Sequence, residues 1–100
     1  MSRSLLWLML AVACSAVAQR PAQLGLCAAC HGENGIALAP GTPNLGGQDA
    51  TYLVAAIEQY RSGKRDNSAM RAVVGALSRA DIAALAEWYA AQPGCEARAR

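Results

Sequence analysis

The sequence predicts an all-α domain of three to five short helices packed around one rigid inserted group. Three observations carry this. Apolar residues recur at helical spacing at positions 52, 53, 56, 57 and 60 and again at 82, 85, 86 and 89, and no stretch alternates as a strand would. Bulky interior side chains are scarce: 54% of the 100 residues are apolar, but many of these are alanine and none is phenylalanine. One motif, Cys27-Ala28-Ala29-Cys30-His31, sets three ligand-type side chains within little more than a helical turn. A chain this short makes one domain at most, and a core this thin calls for a staple. A net charge of +2 is too mild to argue for nucleic acid or an anionic membrane as partner.

Residues 1–18 read as an export signal. Arg3 supplies the positive start, Leu5 to Ala13 the apolar stretch, and Ala16-Val17-Ala18 the small-residue cleavage site, leaving Gln19 as the mature N-terminus. The apolar stretch is too short for a membrane span. The competing reading is a lipoprotein signal with Cys14 as the lipidated residue, although Ala11 stands where such signals carry a larger aliphatic side chain. Loss of Arg3 with the leader leaves eight basic against seven acidic side chains. The expected compartment is the periplasm, where free thiol pairs tend to oxidise.

A helix is expected over Arg20 to Cys30. Pro21 suits a first helical position, and Leu24, Cys27 and Ala28 keep one stripe. Gly25 weakens it by about 1 kcal/mol against alanine. The helix delivers the C-x-x-C-H motif, a signal for covalent haem attachment. Residues three and four apart share a helix face, so both thiols can reach the two vinyl groups of one haem while His31 lies beneath the ring as proximal ligand. Three rivals explain less. A thioredoxin-type pair needs a βαβ setting. Zinc needs four ligands, and adjacent Cys30 and His31 are hard to place on one tetrahedron. A plain disulfide leaves His31 without a role.

Gly32 to Gly47 is a loop, broken by five glycines and two prolines, and long enough to wrap one haem face. A proline carbonyl would make a fitting acceptor for the second ring N–H of the histidine ligand. Asp49 to Ser62 is the next helix, capped by Gln48 or Asp49, with Glu58 and Arg61 off the apolar stripe and in water. Tyr52 and Tyr60 are either haem contacts or ordinary core aromatics with wet hydroxyls. Ser62 to Ser68 is a turn; Lys64 and Arg65 there are a solvated cluster, a steering patch for an acidic partner or a counter-charge for a haem propionate.

Met70 follows. Of three methionines, Met1 and Met9 leave with the signal, so Met70 is the lone thioether of the mature chain as His31 is its lone imidazole. It is the soft neutral ligand available for the second axial position, or else a gap-filling core residue. Ser78 to Ala91 is the last helix, with a capping box at Ser78 and Asp81, a buried face of Ile82, Leu85, Ala86 and Tyr89, and Pro93-Gly94 as the stop. Residues 95–100 are a polar, flexible tail in which Cys95 is an odd thiol.

Taken together, Cys27-Ala28-Ala29-Cys30-His31-Gly32, Thr42-Pro43-Asn44-Leu45, Gly47-Gln48, Tyr52-Leu53, Gly63-Lys64-Arg65, Met70 and Leu77-Ser78 with Asp81-Ile82 resemble the small bacterial class I cytochromes c of the c-553 and c4 type. The resemblance covers nearly all of residues 19–94. It implies a class I cytochrome c fold around one haem c, His31 and Met70 as axial ligands, and the Pro43 carbonyl as acceptor for the His31 ring N–H. With both axial positions filled by protein, iron has no site for a substrate and can only gain and lose an electron. The reading is a single-electron carrier between membrane or periplasmic oxidoreductases, and not an enzyme. The alternative is a haem protein with an open or displaceable sixth site, serving as ligand sensor or small enzyme.

Overall fold

Local signals place four helices among the described residues, and one of them leaves only a faint trace in the sequence pattern. The computed structural model describes residues 19–94; the expected export signal with Cys14, and the tail with Cys95, lie outside the described residues. Helix α1 spans Leu24–His31, α2 Ala50–Ser62, α3 Ser68–Val74 and α4 Arg79–Ala90. Among the described residues there is no strand.

Each helix begins where a side chain or a buried anchor fixes it. Helix α1 starts later than Pro21 suggested, because Gln23 offers no side-chain cap. The chain instead enters through a turn, with the Leu24 amide donating to the Pro21 carbonyl at 3.1 Å, and Leu24 is fully buried. Asp49 caps α2 by accepting from the Tyr52 amide at 2.8 Å, and Gly63 ends it in the left-handed region. For helix α3 the sequence predicts a polar turn and then a loop or a helix start at Met70, and the structure decides for the helix. At seven residues it is too short for a periodic signal, and its start is set by Asn67, which accepts from the Met70 amide at 3.0 Å. Ser78 and Asp81 close both halves of the capping box on α4.

Helix α2 packs on both α4 and α3. The core is Leu24, Leu53, Val74, Leu77, Ile82, Leu85, Ala86 and Tyr89, so the four α4 positions expected to be buried are buried. The long loop after α1 is tied down by α4. The Tyr89 hydroxyl donates to the Gly32 carbonyl at 2.9 Å, the Trp88 indole to the Glu33 carbonyl at 2.7 Å, and the Gly47 amide to the Tyr89 carbonyl at 3.0 Å. Burial pushes the Tyr89 hydroxyl well above its ordinary pKa, so it stays protonated and able to donate.

Two passes of this loop meet at Gly35, whose carbonyl accepts from Leu45 and Gly46 at 2.8 and 3.1 Å. Gly35 has φ +78°, and a Cβ there would lie 2.1 Å from the Gly46 nitrogen. Gly35→Ala is expected to destabilise the fold by on the order of 2–3 kcal/mol, from left-handed strain plus backbone displacement. Chemical denaturation would read this as a lower midpoint with an unchanged slope.

One expectation is corrected. Arg61 is not in water: it is part-buried, and its Nη2 donates to the carbonyls of Val74, at 3.3 Å, and Leu77. The helical stripe of α2 leaves Arg61 off its apolar positions. It cannot show that the turn closing α3 lies beside it, with the Val74 and Leu77 carbonyls within reach.

Candidate functional site

His31 is the last residue of α1 and is 8% exposed. Its Nδ1 lies 2.8 Å from the Pro43 carbonyl oxygen. A carbonyl can only accept, so Nδ1 carries the proton and Nε2 keeps the lone pair. Pro43 sits on the long loop, so the chain fixes the tautomer of its only histidine with a backbone group held across twelve residues. Gly32, which follows, turns the chain at φ +76°, where a Cβ would strike the Ile36 carbonyl; the chain thereby doubles back toward Pro43.

Cys27 and Cys30 lie on α1 with no disulfide between them, the first half-buried and the second exposed. Burial pushes the Cys27 thiol, until it is bonded to haem, above its ordinary pKa. Met70 lies one turn into α3, partly buried against the core. These residues share one space. Cys27, Cys30, His31, Pro43 and Met70 all line a cavity of about 340 Å³, whose other walls include Leu53, Ile57, Val73 and Leu85.

Tyr52 and Tyr60 line the same cavity, which favours contact with whatever fills it over the bland alternative. Between them stands Arg65, its guanidinium carbon 5.8 Å and 5.7 Å from the two ring centroids. Its Nε donates to Gln59 Oε1 at 2.7 Å and its Nη2 to the Tyr52 hydroxyl at 3.2 Å. The Tyr52 bond first, and then Tyr60, hold the guanidinium above its ordinary pKa. Among the described residues Arg65 is the only Lys or Arg lining the cavity, and no Asp or Glu lines it. Lys64 does not reach it. In the sequence the two cations look alike, because both lie past the end of α2, where helical periodicity assigns no face.

The donor set fits a haem. Two thiols three residues apart, an imidazole with Nε2 available and a thioether sulfur border one mainly apolar cavity of cofactor size. A free-standing metal site fits poorly, since no three His, Cys, Asp or Glu side chains converge among the described residues.

Comparison with known proteins agrees with the geometry. Residues 19–88 match the family of cytochrome c oxidase, cbb3-type, subunit III, a c-type cytochrome domain. The chain is a class I c-type cytochrome. Relatives include cytochrome c-554(548) of Halomonas halodenitrificans, 48% identical over 73 residues, which are 70% of this cytochrome and 88% of that one. Cytochrome c4 of Pseudomonas aeruginosa is 36% identical over 83 residues, 83% of this chain but 41% of its own length. A thiosulfate dehydrogenase electron acceptor of Stutzerimonas stutzeri is 38% identical over 68 residues, 67% of this chain and 32% of its own. The cytochrome thus spans most of the first relative and well under half of the other two. Its family is that of monohaem electron carriers, and its cofactor is covalently bound haem c. No helix among the described residues is long and apolar enough to cross a membrane.

Proposed function

We propose that this cytochrome is a periplasmic carrier of single electrons whose iron is ligated by His31 and Met70, and that it is not itself an enzyme. One observation carries the reading: the lone imidazole and the lone thioether of residues 19–94 stand on the wall of one cavity with both motif thiols. Bound haem c supplies a one-electron iron couple. The chain's residues set how that couple behaves. Cys27 and Cys30 furnish the two sulfurs that fix the ring. The Pro43 carbonyl, by accepting the Nδ1 proton, orients the His31 ring and makes Nε2 a better donor. Met70 sulfur favours the ferrous state relative to a second imidazole, and the surrounding aliphatic wall acts in the same direction. Residues 1–18 would direct export, by signal cleavage after Ala18 or, as the lesser alternative, lipidation at Cys14.

The partners are membrane or periplasmic redox enzymes that dock weakly and leave quickly. Two relatives are named as electron acceptors of thiosulfate dehydrogenase, which supports an oxidoreductase donor of that general kind.

Carbon monoxide tests the assignment against a ligand sensor or small enzyme with an open sixth site. The reduced protein is expected to bind it slowly and weakly at neutral pH, because Met70 must first leave. Rapid, tight binding would support the open-site alternative.

Arg65 bears on the potential. A fixed cation beside the cavity offsets the propionate charges and disfavours ferric iron. Arg65→Gln is expected to lower the reduction potential, while Lys64→Gln leaves it nearly unchanged; voltammetry of the two variants reads the difference.

A further inference from the structure

We propose that Arg61 is a positioning residue for the iron's sixth ligand: it pins the C-terminal end of α3 to α2 and so keeps Met70 at the cavity wall. This rests on Met70 being that ligand.

Helix α3 has seven residues, too few to be stable unsupported. Asn67 secures its first turn through the Met70 amide. Its end runs into a turn in which the Gly75 amide donates to the Arg71 carbonyl, Ala76 to Val73 and Leu77 to Val74. Arg61, in the last turn of α2, ties that turn to its neighbour: a single Nη2 donates to Val74, the final residue of α3, and to Leu77, in the link to α4. Met70 and Val74 are four residues apart and share a helix face. Met70, Val73, Val74 and Leu77 all line the cavity. The strip of chain that Arg61 grips is therefore the strip that carries the sulfur.

The cost of placing arginine there supports a specific use. Its Nε is buried without a partner. An orphaned buried donor on a cation is unfavourable, and an aliphatic side chain would fill the same space without it. What an aliphatic residue lacks is directed donation to two carbonyls on the Met70 side of the cavity.

Imidazole added to the ferric protein competes with Met70 for the iron, so its apparent affinity reports the fraction of molecules with the sulfur detached. Arg61→Gln is expected to raise that affinity about tenfold, with Arg61→Lys intermediate and Met70→Ala marking the limit. Trp88→Phe removes the bond to the Glu33 carbonyl, far along the chain from α3, and serves as the stability control. It should lower the unfolding midpoint yet leave imidazole affinity at the wild-type value. The tether is overturned if Arg61→Gln binds imidazole no better than wild type, or if Trp88→Phe raises affinity as much for the same loss of stability. Should Arg61→Gln fail to fold, Arg61→Lys is read by the same comparison. If Met70→Ala itself leaves the spectrum unchanged, it is the ligand assignment that fails, not the tether.

Discussion

Protein carrying Cys27→Ala together with Cys30→Ala is expected to emerge without covalent haem and largely unfolded. Both thiols border the cavity, and no other cysteine lies in the described chain. The folding consequence follows from the cavity itself. Without the ring, the mainly apolar walls of this open space of about 340 Å³ meet water, and apolar surface left wet forfeits ~25 cal/mol per Å² in a domain whose whole stability is about 5–15 kcal/mol. Six of the eight buried core residues line the cavity, and its two sides are held separately, the loop after α1 by its hydrogen bond from Tyr89 of α4 and the end of α3 by Arg61 of α2. Circular dichroism with a haem stain of a denaturing gel checks both parts. A colourless variant with native helicity and a cooperative melt would show that the helices pack without the ring.

The second large effect is expected at Met70. Met70→Ala should keep haem attached through both sulfurs, lower the reduction potential and open the sixth position to added ligands. Its effect on the fold should be modest, since Met70 is only partly buried and the α3 cap uses its backbone amide, which alanine retains. The optical spectrum and the potential separate a ligand from a gap-filler. A core methionine would cost stability and leave both unchanged.

The sequence exposes this fold unevenly, for physical reasons. Helices α2 and α4 were legible because each is long enough to show a stripe and each carries its own cap, Asp49 and Ser78 with Asp81. The motif placed Cys27, Cys30 and His31 together because its chemistry is local to one helical turn. Helix α3 was only half legible, as a loop or a helix start: seven residues barely complete two turns, and its cap, Asn67, lies in a run that reads equally well as a turn. Long-range pairings were hidden for another reason. The Arg61 bonds to Val74 and Leu77 and the placing of Arg65 between two tyrosines depend on where one helix ends beside another, which periodicity does not encode. The contact between Pro43 and His31 came from family likeness rather than from spacing, and the geometry now gives it a distance of 2.8 Å.

Proton magnetic resonance of the reduced protein, compared with Met70→Ala, tests the central assignment most directly. Wild type should show one three-proton signal driven far upfield by the ring current, from a methionine methyl seated over the iron, and the variant should lack it. A wild-type spectrum whose methionine methyl stays at its ordinary position would contradict the assignment and leave the iron with a different sixth partner.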